Sequence, residues 1–436
     1  MNKKIIAASA ALVTAVSLAS AAPKAVNKIQ PAENQYVLVV NGYDWGPGAD
    51  KLIINTGKEI TSKQVKAGDF NVEVTVQSLD WSSMAMGTTS GNRTVTQAYL
   101  SDANGNKGGS KGSYVTLELS VDPSDPLTNP FVFASDMMNH WSEPYTVKIT
   151  NETLDLTVSE CTGRVSPLAD QFKMDTRTYA NNQTLSYAAW EPAKHGDKVP
   201  LVIWLHGMGE GGTDPYVALL GNKVVNLVTP EIQKNFGKDG AYVLAPQVDG
   251  FWLQTTAEKK MDAANADTAE SRSFYTDALM DLIETYVTEN PSIDRNRIYI
   301  GGCSNGGYMT VNMIIEYPEY FAAAYPVCEA YLDAKIDDDK LSKLAGQNIW
   351  FTWSSDDTTV DPSLYELPLK ERLEASGASN VHFTIWDGVF DTTKKYKAED
   401  GSAYRYMGHW SWLYVLNNQC KEGSTTLFKW LASQSK

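Results

Sequence analysis

The sequence predicts two domains, an all-β sandwich followed by an α/β domain with a mostly parallel sheet. Three observations lead to this prediction. Up to about residue 162, short stretches alternate apolar and polar residues between Gly- and Asn-rich turns. Beyond residue 166, apolar strands alternate with stretches of helical periodicity, which is typical of a parallel sheet. The length of 436 residues also exceeds what a single hydrophobic core commonly holds.

The N-terminus has the pattern of a secretory signal. Two lysines precede an apolar stretch at 5–18, and residues 19–21 are small residues of the kind that precede signal-peptidase cleavage. The apolar stretch is shorter than a bilayer span requires. We therefore expect residues 1–21 to be removed and the mature chain to be secreted, periplasmic or extracellular, without stable membrane insertion.

Charge and cysteine content narrow the class of partner and cofactor. The net charge of −15 argues against nucleic acid or an anionic membrane surface as a partner. No C-x-x-C or His/Cys cluster indicates zinc, and no other cofactor is indicated. The four cysteines allow three complete pairings in an exported chain, and free thiols are an equal alternative. They are Cys161, Cys303, Cys328 and Cys420.

Residues 30–162 are predicted to form an immunoglobulin-like sandwich. Several short strands at this spacing, separated by turn residues such as those at 104–109, are typical of that architecture. The Cys…Trp…Cys pattern of antibody domains is absent, so the prediction rests on the strands alone. The clearest predicted strands are 36–40, 70–76, 114–119 and 145–149.

Residues 166–436 are predicted to form the α/β domain. Its predicted strands alternate with helical stretches, which implies a mostly parallel sheet. Predicted strands lie at 199–205, 241–245, 297–300, 321–327, 348–353 and 381–386, and predicted helices at 268–289, 305–317 and 425–433.

A nucleophile pattern follows the predicted strand at 297–300. Gly302-Cys303-Ser304-Asn305-Gly306 fits G-x-S-x-G, in which a serine lies on a sharp turn from strand to helix. The glycines let strand and helix approach closely, and the backbone N–H of Asn305 then faces the developing oxyanion. Such a short pattern also occurs by chance, but here a predicted strand and helix flank it. Ser304 is therefore the predicted nucleophile.

A second oxyanion donor is expected after the predicted strand at 199–205. The loop 206–212 is rich in glycine, which lets a backbone N–H reach a substrate carbonyl. The N–H of Met208 is the predicted donor, and Gly207 is the alternative. A phosphate-binding loop would end in Lys-Ser or Lys-Thr, which this loop lacks. His206 is predicted to be structural.

The general base is predicted by elimination among five histidines. Four of them lie in positions that do not suit the base. These are His140 in the β-rich part, His195 in a polar turn, His206 directly after the predicted strand at 199–205, and His382 at the start of a strand. His409 follows the last predicted strand and precedes a helical stretch. Where a serine lies in a G-x-S-x-G turn of this kind, its acid and then its histidine follow it along the chain. His409 is therefore the predicted base.

The acid is expected in the loop that follows the predicted strand at 348–353. Asp357 is the predicted acid, and Asp356 is the main alternative, followed by Asp361. Another of these aspartates is expected to cap a helix or to lie in solvent. The catalytic carboxylate would fix the tautomer of the imidazole and stabilise its cation.

Together these motifs resemble the α/β-hydrolase superfamily, and more closely the secreted esterases related to the prolyl-oligopeptidase and polyhydroxybutyrate-depolymerase groups. The resemblance rests on the elbow at 302–307, on Asp357-x-x-Val360 and on Gly408-His409-Trp410, and it covers about residues 166–436. The β-rich domain ahead of it is similar to that of bacterial esterases with an N-terminal immunoglobulin-like domain.

The resemblance implies a serine carboxylesterase that needs no cofactor. Its substrates would be short- to medium-chain acyl esters, either small molecules or esters linked to polysaccharide, such as feruloyl or acetyl groups. One alternative is a prolyl-oligopeptidase-like peptidase, although about 130 residues without blade repeats are too few for a propeller. An alternative of another class is a carbohydrate-binding or adhesion protein with an inert hydrolase domain.

Overall fold

The computed structural model describes residues 29–192, 198–267 and 270–436. The predicted signal segment, 1–21, lies outside the described residues, as does His195. Within the described ranges, no helix combines the length and the apolar character that crossing a bilayer requires.

The N-terminal domain is a sandwich of two β-sheets. One sheet has the strand order β11-β1-β2-β6-β5 and the other β10-β9-β3-β4, while β7 and β8 form a separate hairpin. The four strands predicted in this region all overlap observed ones. The strands are β1 (Gln35–Tyr43), β2 (Gly46–Thr61), β3 (Asn71–Asp80), β4 (Ala85–Arg93), β5 (Val95–Ser101), β6 (Lys111–Leu119), β7 (Phe131–Phe133), β8 (Asn139–Trp141), β9 (Tyr145–Asn151), β10 (Leu156–Val158) and β11 (Glu160–Val165).

Strand β3 shows why this region folds as a sandwich. Val72, Val74 and Val76 are buried, whereas Glu73 between them is exposed. Side chains on a strand point to alternate faces, so this alternation directs the valines into the space between the sheets. Burying each valine stabilises the fold by about 1.5 to 3 kcal/mol.

The C-terminal domain is built on an eight-stranded sheet of order β12-β13-β15-β14-β16-β17-β18-β19. The pairs β12–β13 and β13–β15 are antiparallel, and every pair from β15 to β19 is parallel. The strands are β12 (Lys173–Tyr179), β13 (Gln183–Trp190), β14 (Val199–Leu205), β15 (Tyr242–Val248), β16 (Ile293–Cys303), β17 (Ala323–Val327), β18 (Ile349–Ser354) and β19 (Val381–Trp386).

Helices lie in the connections between the parallel strands, as expected for crossovers within one sheet, and further helices follow the last strand. The connecting helices are α1 (Pro215–Leu220), α2 (Pro230–Gln233), α3 (Thr276–Glu289), α4 (Asn305–Glu316), α5 (Asp338–Ala345) and α6 (Glu366–Ala375), and the helices after the last strand are α7 (Trp412–Leu416) and α8 (Leu427–Ser433). A short hairpin of β20 (Lys421–Glu422) and β21 (Thr425–Thr426) precedes α8.

Two predicted helices begin later than the sequence pattern indicated. Helix α3 begins at Thr276 rather than at 268, because the preceding residues bond to a neighbouring loop instead. The Ser273 hydroxyl donates to the Trp252 carbonyl at 2.6 Å, and the Phe274 amide donates to the Gln254 carbonyl at 2.7 Å. Helix α8 begins at 427, since residues 425–426 pair in β21.

The two domains pack against each other through a shared apolar cluster. Buried side chains of the sandwich are continuous with those on one face of the eight-stranded sheet. An ion pair joins the domains beside this cluster, with Lys223 Nζ 2.9 Å from the buried Asp44 carboxylate. Trp141 in β8 donates its indole N–H to Asp214 at 2.8 Å. The sandwich is therefore attached to the α/β domain by both packing and directed bonds.

All four cysteines, which lie in the described ranges, are free. A disulfide between Cys303, which ends β16, and Cys328, which follows the neighbouring strand β17, is one of the possible pairings, but it is not formed. The two thiols have different surroundings instead. The Cys303 Sγ accepts a bond from Asn222 at 3.3 Å, whereas the Cys328 Sγ lies within 4.8 Å of Asp357 and His409 atoms.

Thiol reactivity tests this arrangement. Without reductant, we expect one thiol per chain to react with Ellman's reagent in the native protein, because only Cys161 is exposed. Four should react after denaturation. A count of two in denatured protein would contradict the free-cysteine arrangement.

Candidate active site

The serine elbow lies where β16 ends and α4 begins. Ser304 has a backbone φ of 56° and ψ of −117°, a region that a non-glycine residue rarely adopts. A Cβ added at Gly302 or at Gly306 would lie 2.4 or 2.1 Å from the carbonyl oxygen of Leu205. Only glycine fits at both positions, so the two glycines allow β14 to support the strained turn. This is the geometry expected of a nucleophile elbow.

A buried histidine–aspartate pair lies beside this turn. The His409 Nδ1 is 2.6 Å from the Asp357 Oδ2, and both side chains are buried. Asp357 Oδ1 accepts bonds from the amides of Thr359 and Val360 at 2.8 and 3.0 Å. These bonds fix the carboxylate so that it accepts the Nδ1 proton. The His409 Nε2 is then unprotonated and able to accept a proton.

Cys328 connects the elbow to this pair. It follows β17, the neighbour of β16, and the amide of Ser304 donates to the carbonyl of Val327 at 2.9 Å. The Cys328 Sγ lies within 4.8 Å of side-chain atoms of Asp357 and His409. Within the described part of the chain, the Ser304 hydroxyl makes no hydrogen bond to His409 or to another residue. In serine hydrolases this hydrogen bond often tightens only when substrate binds.

The competing aspartates have other partners. Asp356 accepts bonds from the Ser354 hydroxyl and from the Arg405 guanidinium, both at 2.5 Å. Asp361 accepts from the amide of Ser363. Neither carboxylate bonds to His409, so the structure favours Asp357 among the three candidates.

Two other histidines lie outside this group. His140 bonds to Asp136 through its Nε2 at 2.8 Å, on an exposed part of the N-terminal domain. His382 bonds to Glu422 at 2.9 Å and to Asn380 at 3.1 Å. The hydrogen-bond partners of both rings lie far along the chain from Ser304.

His206 supports the glycine-rich loop, as its sequence position suggested. Its Nδ1 donates to the Gly207 carbonyl at 2.6 Å, and its Nε2 accepts from the Val248 amide at 3.2 Å. This pattern requires the neutral ring with its proton on Nδ1. Burial lowers the pKa of His206 to about 4, which keeps the ring neutral. The His206 ring thus links the glycine-rich loop to the end of β15.

The predicted oxyanion donors begin two turns. Met208 is the first residue of a 3-10 turn that spans Met208–Glu210, and Asn305 is the first residue of α4. The N–H groups of such residues have no partner within their own turn and remain available to a ligand. Since Gly306 contacts the end of β14, the two turns are neighbours.

A buried carboxylate beneath the loop was not identified from the sequence. Glu210 accepts bonds from Asn222 at 2.8 Å and from Asn139 of the N-terminal domain at 3.2 Å. Burial raises the pKa of Glu210 to about 7. The sequence offered one indication of this site, namely that Glu210 is an acidic residue within a glycine-rich loop. Nothing local pointed to Asn139, which lies 71 residues upstream.

One group of side chains in the described ranges has the proximity of a metal site, namely Cys328, Asp357 and His409. Two of the three already bond to each other. Burial also raises the pKa of the Cys328 thiol well above its usual value, so the thiol stays protonated and is a poor ligand. The group therefore fits a hydrogen-bonded pair better than a metal centre.

Two family models match parts of the chain. Residues 35–163 match the esterase Ig-like N-terminal domain, and residues 275–363 match the prolyl oligopeptidase family. No curated protein matches the chain.

Solved structures give a similar result. A thermostable esterase is 25% identical with a TM-score of 0.70, and the match covers 92% of this chain and 100% of that one. A ferulic acid esterase is 15% identical with a TM-score of 0.39, covering 60% of this chain and 97% of that one. A Pyrococcus horikoshii acylaminoacyl peptidase is 14% identical with a TM-score of 0.37, covering 62% and 46%.

The two family matches and the thermostable esterase confirm the predicted fold class and the resemblance stated from the sequence. The N-terminal domain is immunoglobulin-like, and the domain that follows is an α/β-hydrolase domain with a largely parallel sheet. The two family matches and the likeness to the thermostable esterase support a serine hydrolase.

Paired aspartate variants test the assignment of the acid. We expect Asp357→Asn to lower kcat by about 10⁴-fold, because the amide would impose the wrong imidazole tautomer. Asp356→Asn should lower kcat by less than about tenfold, since it loses a partly exposed ion pair with Arg405 that does not involve His409. Steady-state hydrolysis of a nitrophenyl ester measures both, and the reverse order of effects would assign the role to Asp356.

The pH dependence of stability tests the state of Glu210. Its folded pKa of about 7 exceeds the ordinary value of 4.5, so the folded state retains the proton longer. Stability should therefore fall as pH rises from about 4.5 to about 7, by up to about 3 kcal/mol. Glu210→Gln removes this component.

Urea unfolding at pH 5 and pH 8 measures this component as the difference between wild type and variant. The exposed Glu399→Gln is the matched control and should keep the wild-type difference. Equal pH dependence in wild type and Glu210→Gln would show that Glu210 does not titrate in this range.

Proposed function

We propose that this serine hydrolase is a carboxylesterase that cleaves short- to medium-chain acyl esters through Ser304, His409 and Asp357. The observation that carries the proposal is the strained serine turn beside a buried His409–Asp357 pair. The esterase-type N-terminal domain and the likeness to a thermostable esterase over 92% of the chain support esters as the substrate class.

Acylation begins with proton transfer from Ser304 to His409. Because Nδ1 of His409 is bound to Asp357, the proton goes to Nε2, and the carboxylate stabilises the resulting cation. The serine oxygen attacks the ester carbonyl carbon, and the carbonyl oxygen becomes an oxyanion. The N–H groups of Met208 and Asn305 bind that oxyanion, each contributing about 3 kcal/mol.

Collapse of the tetrahedral intermediate expels the alcohol. The alcohol oxygen takes the proton from the His409 cation, and an acyl-enzyme on Ser304 remains. In the second half-reaction His409 removes a proton from water, which attacks the acyl carbonyl. The acid leaves and Ser304 regains its proton, so the enzyme returns to its initial state without a cofactor.

Peptide hydrolysis is a second candidate, favoured by the match of residues 275–363 to the prolyl oligopeptidase family. The segment before the catalytic domain is a two-sheet sandwich with a separate hairpin and not a propeller that would enclose a peptide. Since a sandwich does not enclose the substrate as a propeller does, this domain fits ester substrates better than peptide substrates.

We also propose where the enzyme acts and which natural esters it cleaves. The pattern at 1–21 supports secretion, and the acidic composition supports a partner other than nucleic acid. For a secreted enzyme, small-molecule esters and feruloyl or acetyl groups on polysaccharide are the substrates to compare.

A substrate panel tests the proposed function. Wild-type protein should hydrolyse nitrophenyl esters much faster than proline nitroanilides, and Ser304→Ala should lower ester kcat by at least about 10⁴-fold. Ser342→Ala, an exposed serine on α5, is the matched control and should remain active. Fluorophosphonate should label wild type and not Ser304→Ala.

Two results would contradict the proposal. Faster turnover of the anilides would make the protein a peptidase. Failure to cleave any ester or to react with fluorophosphonate would leave an inert hydrolase domain, as in a binding or adhesion protein.

A further inference from the structure

Two hairpins of the N-terminal domain form an aromatic wall beside the glycine-rich loop 206–212, called the oxyanion loop below. Trp81 follows β3, and Phe133 ends β7. Their rings stack with centroids 5.7 Å apart and an angle of 30° between planes. Trp81 is 57% exposed, so much of its ring surface remains accessible to a ligand.

Phe133 joins the wall to the candidate active site. A Cβ placed on Gly209 would lie 3.3 Å from the Phe133 ring and 2.9 Å from Asn139 Nδ2. Gly209 directly follows Met208, whose N–H is the proposed oxyanion donor. Trp81 is thus separated from the oxyanion loop by a single aromatic ring, and the wall is continuous with the site.

Exposed methionines lie on the two hairpins that carry Trp81 and Phe133. Met84 and Met86 on the first hairpin and Met137 on the second are each more than a third exposed, at 46%, 43% and 37%. Residues 81–92 contain no charged side chain, although the chain as a whole carries a net charge of −15. Such exposed apolar groups in a soluble protein commonly mark a binding site.

The turn that presents Trp81 is held by local bonds. Asp80 accepts bonds from Ser82 and Ser83 at 2.7 to 2.9 Å, and these bonds lower the pKa of its carboxyl to about 2. The carboxylate is therefore ionised at neutral pH. The hairpin tip is ordered before a ligand arrives, which reduces the entropy cost of binding.

We propose that Trp81 and Phe133, with the exposed methionines of the same two hairpins, bind an aromatic ring of the substrate ester. The inference rests on the proposed function and specifies its substrate class. An indole face favours stacking of a flat ring, and thioethers favour the edges of aromatic rings. Residues 81–92 carry no charged side chain, and the Asp80 carboxylate beside them is occupied by the two serines of its own turn, which suits a neutral ring better than an ionised group. In this arrangement the immunoglobulin-like domain selects the ester that the other domain cleaves.

Ester series measured on the intact chain test the proposal. One series varies the acyl group from methyl acetate to methyl cinnamate, and the other varies the alcohol from ethyl acetate to benzyl acetate. Wild type should prefer the ring-containing ester in at least one series. Trp81→Ala should lower kcat/KM for that ester about tenfold relative to the small ester, and Trp81→Phe should retain most of the preference.

Tyr99→Ala is the control, because Tyr99 is an aromatic residue of the same domain on β5, in the other sheet. Its preference should equal that of wild type. An unchanged preference in Trp81→Ala, equal losses on all esters, or a Trp81-dependent change in sedimentation or in binding to neutral polysaccharide would overturn the inference. If wild type cleaves no ester, the proposed function fails instead.

Discussion

The site depends on how closely the turn between β16 and α4 approaches the end of β14. Gly302 and Gly306 both face the carbonyl of Leu205 at distances that exclude a Cβ. This contact holds Ser304 in a strained conformation and places the first turn of α4 beside the glycine-rich loop. The predicted nucleophile and the two predicted oxyanion donors therefore share one rigid contact. The His409–Asp357 pair lies close to Cys328, which follows the neighbouring strand β17.

The same loop also joins the two domains. Glu210 lies under it and bonds to Asn139 of the sandwich, while Phe133 of the same hairpin covers Gly209. The apolar core is continuous across the boundary as well. The immunoglobulin-like domain is therefore built into the surroundings of the oxyanion loop, in contrast to a module attached by a linker.

Features set by local sequence could be predicted, and those set by distant contacts could not. The alternation in β3 and the glycine spacing around Ser304 act within a few residues, so the sequence reveals them. Asp357 could be narrowed to one loop but separated from Asp356 only through its bond to His409. The late start of α3 and the bond between Glu210 and Asn139 depend on segments that meet only after folding.

The parallel sheet also fixes the order in which the proposed catalytic residues appear along the chain. Ser304 follows β16, Asp357 follows β18, and His409 comes only after β19, the outermost strand. During synthesis on the ribosome, the serine turn is translated long before its base. A partly made chain thus holds a nucleophile without the group that activates it. A chain that ends before His409 would therefore lack the proposed base.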